Sequence, residues 1–172
     1  MINENWYYLL HPKVVTLITT LSKEGKVNAA PFAWVTPLSD SPPLLLVAAW
    51  YESHTFQNIT KTKEFVINIV PANLKKEVEV CAKPFPAGVN ELEKAKLSSV
   101  PAKTVKPPRI SECMAWIECV AKEIVKKKDE YSFIIAEVKH IEVKRECYEN
   151  LLPKKDVLLH MGGKNYSTIK FK

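Results

Sequence analysis

Residues 14–20 read VVTLITT, residues 22–26 read SKEGK and residues 27–35 read VNAAPFAWV. A run dominated by Val, Ile and Thr favours a pleated strand, because branched Cβ atoms are stiff at χ1 and pack well on a sheet surface. The polar insert, with Gly25 free to take a positive φ, turns the chain back. The three pieces together predict an antiparallel hairpin whose return strand runs over 27–35 and ends before Pro37. A loop at 38–43 (LSDSPP) follows, and then 44–49 (LLLVAA), a continuously apolar run that predicts a strand buried on both faces.

Working outward, Ser53-His54-Thr55 offers capping hydroxyls ahead of a short helix reaching about Thr62. Residues 65–70 (FVINIV) predict another strand. Asn73 is placed to cap a helix over 74–81, with Leu74, Val78 and Cys81 on one face. The proline-rich stretch 83–109, carrying a short helix at 91–96, reads as one long irregular connection, a class often tied to function. Strands are expected at 114–126, 132–145, 157–161 and 166–171. Within 132–145 the apolar positions switch from even (Ala136, Val138) to odd (Ile141, Val143), which demands a bulge near Lys139-His140. Lys126-Lys127-Lys128 reads as a solvated turn between two strands, and Gly162-Gly163 as the turn between the last two. The order is not βαβ throughout. A single domain over 1–172 is therefore expected, mainly β with short helices and built as a mostly antiparallel barrel.

Composition narrows the function. The 172 residues are 47% hydrophobic and 26% charged, enough for a core without disulfides or metal. The net charge of +6 favours anionic partners, but the basic residues are mixed with acids. Nucleic acid is not expected, since Trp34, Trp50 and Trp116 sit among apolar neighbours instead of alternating with Lys and Arg. Those tryptophans read as core, with a flat apolar wall as the alternative. Four cysteines lack any C-x-x-C pair and read as structural thiols, and the histidines lack ligand spacing, so no metal is expected. No leader motif opens the chain and the longest apolar stretch is far too short for a bilayer, so a cytoplasmic protein without a membrane partner is expected. Only four glycines occur, which excludes both a dinucleotide fingerprint and a P-loop. No G-x-S-x-G elbow is present, and no catalytic residue is nominated. Glu77 with Glu79, and Glu91 with Glu93, read as solvated faces. The helix start at Ser53-His54-Thr55, with Asn58 one turn on, is either an ordinary cap or a seat for an anion.

Several of these stretches, taken in order, resemble the flavin reductase-like family of FMN-binding split barrels, which includes flavoredoxins and the small reductase components of two-part oxygenases. The matching pieces are LHPK at 10–13 leading into VVTLITT, GKVNAAPFAW at 25–34, PLS at 37–39 with PPL at 42–44, SHT at 53–55 with Asn58-Ile59, EFVIN at 64–68, GVNEL at 88–92, and PRI at 108–110 with Glu118-Cys119. The resemblance implies a split β-barrel and a homodimer with one FMN per subunit near the interface. It places Ala33, Trp34, Val35 and Thr36 along the flavin ring and ribityl chain, and Ser53, His54, Thr55 and Asn58 on the phosphate. Tyr51-Glu52 stands where many relatives carry Arg or Lys, which makes Lys83 the candidate cation. His160, with the small residues Gly162-Gly163, corresponds to the family's C-terminal approach to the cofactor. The implied activity is NAD(P)H-dependent reduction of a flavin or ferric acceptor through bound FMN. The alternative is a flavoredoxin-type electron carrier that does not itself oxidise nicotinamide.

Overall fold

The computed structural model describes residues 2–169. A 3-10 turn at Trp6–Leu10 leads into β1 (Lys13–Val14) and then the expected hairpin, β2 (Thr16–Leu21) with β3 (Val27–Phe32), paired from Thr16↔Phe32 to Leu21↔Val27. Gly25 takes φ +77° in its turn. The return strand does not continue to Val35. Ala33 and Trp34 leave the ladder, and Val35–Asp40 forms a separate strand, β4, which pairs with β5 (Pro43–Trp50) across a tight turn at Ser41-Pro42. Much of the expected loop at 38–43 is thus strand. Pro37 misled the reading, because on an edge strand its missing N–H breaks no ladder bond.

Next come α1 (His54–Thr62), β6 (Glu64–Ile69), a 3-10 turn at Ala72–Leu74, α2 (Lys75–Cys81) and α3 (Glu91–Ala95). Asn73 does not cap a helix: it lies inside the 3-10 turn, and α2 has no side-chain cap. Leu74, Val78 and Cys81 are buried together, as their spacing predicts. The connection after α3 is held by a short pair, β7 (Ser99–Val100) and β8 (Arg109–Ile110). The long strands β9 (Ala115–Val125) and β10 (Tyr131–Val143) are joined through the exposed lysine turn, and β10 shifts register between Val138 and His140, where the face switch requires it. A small pair, β11 (Tyr148–Glu149) and β12 (Leu152–Pro153), precedes the final hairpin, β13 (Val157–Gly162) with β14 (Asn165–Ile169). The last expected strand ran to 171; residues 170 and 171 lie outside the described residues.

The main sheet has seven strands in the order β3-β2-β6-β9-β10-β5-β4, every neighbour antiparallel. Its two outermost strands, β3 and β4, are joined by only Ala33 and Trp34. A flat sheet cannot place its opposite edges that close, so the sheet curls until they meet, as barrels do. The carbonyl of Trp34 accepts a bond from the Ala48 amide at 3.0 Å, fixing this seam to β5. β2 is buried on both faces: Ile18 points into a cluster with Val47, Phe56, Phe65 and Ile134, and Leu17 into a second with Val78, Leu92 and Ile110 beneath α2 and α3. A separate sheet, β1-β13-β14, closes one end. No helix among the described residues is long and apolar enough to cross a membrane.

Candidate functional site

A cleft of about 630 Å³ opens where the barrel seam, the start of α1, the ends of α2 and α3 and the β13–β14 hairpin converge. Seven sequence-nominated residues line it: Ala33, Trp34, Ser53, His54, Thr55, Lys83 and His160. Val35 and Thr36 are not in the lining. Val35 packs against the barrel core and Thr36 is exposed along β4. Asn58 is buried behind the helix start, where its amide donates to Thr20 Oγ1 at 3.0 Å.

The start of α1 combines two features that suit an anion. Ser53 is the N-cap, and its Oγ accepts from the Phe56 amide at 3.2 Å. The amides of the first helical residues, His54 and Thr55, have no intrahelical acceptor and lie at the positive end of the helix. Thr55 is held from below, its Oγ1 accepting from Asn28 Nδ2 at 3.1 Å, while Asn28 Nδ2 also reaches Thr20 Oγ1 at 3.3 Å. An oxygen that already accepts keeps its own O–H free to donate. The cap reading and the anion-seat reading are therefore compatible at this helix.

An aromatic wall borders the same cleft. Trp34 and Tyr131 approach to 4.6 Å between centroids at 36°, Trp50 meets Tyr131 edge-on at 5.7 Å, and Tyr7 meets Trp34 edge-on at 5.3 Å. The core assignment holds for Trp116, which is 7% exposed, and fails for Trp50, which is 41% exposed, and for the half-buried Trp34. Both failed residues border the cleft because they stand at the seam and at the end of β5.

Glu91 corrects another expectation. It is 5% exposed, and its Oε2 accepts from the Ala29 amide at 2.9 Å, so the carboxylate braces β3 beside the cleft and is not a solvated face. Cys81, also in the lining, has its thiol pushed up to about 12 by burial and, to a lesser degree, by Glu91. It stays protonated and chemically quiet. Burial raises Cys113 and Cys119 as well, in line with structural thiols. As site residues Tyr131, Asn28 and Glu91 escaped the sequence reading, whereas Trp50 was open to it through the alternative of a flat apolar wall. Among the described residues no group of His, Cys, Asp and Glu is arranged to hold a metal.

The model of the flavin reductase like domain matches residues 8–169. The chain belongs to the flavin reductase-like family. That places it among flavin-related oxidoreductases. This flavin reductase-like chain is 39% identical over 142 residues to an uncharacterized protein of Methanothermobacter thermautotrophicus, covering 81% of this chain and 67% of that protein. It is 35% identical over 116 residues to an uncharacterized protein of Aquifex aeolicus, covering 64% of this chain and 59% of that protein's length. In fold it matches nitrilotriacetate monooxygenase component B from Bacillus cereus with a TM-score of 0.87 at 24% identity, covering 100% of this chain and 96% of that one. It matches an FMN-binding protein from Thermus thermophilus with a TM-score of 0.87 at 21% identity, covering 100% and 94%. The architecture is the mostly antiparallel split barrel of this family, as the resemblance implied.

Proposed function

We propose that this chain binds FMN in the cleft and acts as an NAD(P)H-dependent oxidoreductase that passes electrons through the flavin to a second flavin or a ferric acceptor. The observation that carries the reading is the pairing, in one cleft of about 630 Å³, of a capped helix start with an aromatic wall. The volume suits a cofactor-sized ligand, and the donor set suits one with a phosphate at one end and a flat ring system at the other. The His54 and Thr55 amides and the Ser53 and Thr55 hydroxyls are the groups for the phosphate, with Lys83 as the nearby cation. Ala33 and Trp34 are the groups for the ring. When bound, FMN supplies the chemistry that side chains lack, accepting two electrons from a nicotinamide and releasing them singly or in pairs.

The protein's own part is to bind, orient and shield. Asn28, which also bonds Thr20, fixes the Thr55 hydroxyl from behind, Glu91 braces β3, and the Trp34 and Tyr131 rings keep water from one wall. No side chain is needed as acid or base for hydride transfer, and none is nominated. His160 borders the same space. The reading includes a cytoplasmic homodimer with one FMN per subunit, as the family resemblance implies.

The test is a fluorescence titration of FMN and, separately, of riboflavin, into the wild type and a Ser53→Ala/Thr55→Ala variant. Hydrogen bonds to a charged group contribute about 1.5–3 kcal/mol each, so losing two should lower FMN affinity about 100- to 10,000-fold while riboflavin affinity holds. Loss of the cap costs about 1 kcal/mol, and circular dichroism would verify that the variant still folds. Equal losses for the two flavins would remove the helix start from the site. Stopped-flow mixing of the FMN-loaded protein with NADH and NADPH separates the reductase from the carrier: a flavin that bleaches only with a partner enzyme present would replace the first reading by the second.

A further inference from the structure

At the rim of the cleft two imidazoles meet. His11 Nε2 lies 3.0 Å from His160 Nδ1. The other nitrogen of His11, Nδ1, lies 3.2 Å from the carbonyl oxygen of Tyr7, and the other nitrogen of His160, Nε2, lies 3.0 Å from that of Gly163. A carbonyl oxygen only accepts, so both outer nitrogens must donate. The inner pair then needs a proton of its own, because two lone pairs facing each other at 3.0 Å repel. Three hydrogen bonds require three ring protons, and two neutral imidazoles carry two.

We infer that His11 and His160 form a proton-holding clamp: the pair keeps one extra proton, shared between His11 Nε2 and His160 Nδ1, and that proton fastens the amino-terminal turn to the β13–β14 hairpin at the cleft wall. His11 is a positioning residue for His160, which lines the cleft. The fastened turn carries Tyr7 onto Trp34 and lays the Tyr8 ring over Gly162. When the proton leaves, one of the three contacts becomes a repulsion between lone pairs, so the turn loosens as pH rises.

The surroundings do not supply a substitute charge. The groups facing the pair are Tyr7 and Tyr8 from the turn, Lys13 of β1 as the register partner of His160, and Tyr166 of β14, with Lys75 over the Tyr166 ring. Lys83, Glu52 and Glu91 share the cleft lining with His160. Among the described residues neither ring is ion-paired with a carboxylate; the one such imidazole is His140, with Glu142. The inference stands apart from the identity of the cofactor, since it rests on the protein's own nitrogens and oxygens.

The experiment follows the imidazole ¹⁵N resonances of the full chain from about pH 5 to about pH 9, a window that brackets imidazole titration. Amide exchange at Tyr8 and His11, corrected for intrinsic rates, is measured over the same range. The expected result is a single shared step in which both rings respond to the loss of one proton, with exchange at the two amides rising about tenfold or more through it. His11→Gln offers a side-chain N–H to His160 Nδ1 without an extra proton, so the pH step in exchange should vanish in that variant. Two independent imidazole titrations in the wild type would overturn the inference, as would exchange that stays flat with pH. An unchanged step in His11→Gln would do the same. The wild-type titration decides the matter even if that variant does not fold.

Discussion

Gly162 stands at φ +103°, and a methyl group built on it would lie 2.9 Å from the Tyr8 ring. Two demands meet at this one residue, a backbone region that side chains rarely enter and a ring that lies flat against the main chain. Gly162→Ala should therefore destabilise the protein by about 1–3 kcal/mol and lift the amino-terminal turn. Urea unfolding monitored by tryptophan fluorescence checks both effects, and a neutral midpoint with unchanged emission would refute them. Residue types announced some of the site and hid the rest. Ser53 and Thr55 were legible because hydroxyls before a helical pattern have few other uses. Asn58 sits at the right spacing but turns inward to Thr20, and Glu91 turns out to be buried, because both choices depend on strands distant in sequence.

At the level of elements, the proline-rich connection is held by side chains of the main sheet: Glu64 of β6 accepts from the Lys106 amide, Glu142 of β10 pairs with Lys103 and Arg109, and Glu118 of β9 makes the most bonds. Glu118 of β9 is fully buried, and its carboxylate accepts from the amides of Lys103 and Thr104, the Thr104 hydroxyl and the Arg109 guanidinium. Burial alone would raise this carboxyl, but the bonds from Thr104, Lys103 and Arg109 outweigh it and hold it at about 2, against 4.5 for an ordinary glutamate. A carboxyl depressed by folding contributes stability that is complete above its unfolded value and disappears as pH falls toward the folded one. Glu142, held at about 2 by Lys103 and Arg109, acts in the same sense. Stability should thus decline between about pH 4.5 and about pH 2, and the decline should be shallower in Glu118→Gln; urea midpoints across that range measure it. Identical slopes would show that the loss arises elsewhere. Glu118→Ala leaves Arg109 buried without its main partner and should cost about 3–5 kcal/mol at neutral pH. Apart from the short helix at 91–96, the sequence reading saw this stretch as irregular, since its order comes from strands it touches through side chains.

Over the whole molecule, the closed seam concentrates the site on one side of the barrel. The amino-terminal turn also leaves large apolar side chains in solvent, with Trp6 55%, Leu9 88% and Leu10 58% exposed. The proposed homodimer predicts that sedimentation velocity finds twice the chain mass at micromolar concentration. A monomer that binds FMN with the same affinity would take the second subunit out of the proposed site.

Read from residue order alone, the chain determined its β-rich class, most of its strands, the capped helix after β5, the bulge in β10 and the absence of glycine-loop motifs. Each is local, depending on Cβ branching, capping hydroxyls or alternation within a few residues. Only the tertiary structure decided that β3 and β4 are opposite edges of one sheet and that Trp34 and Trp50 face a cleft. The same holds for Glu91 lying beneath β3 and for His11 meeting His160 across the chain. Those pairings join residues far apart in sequence, and the curl of the sheet that unites them is set by the packing of all seven strands together.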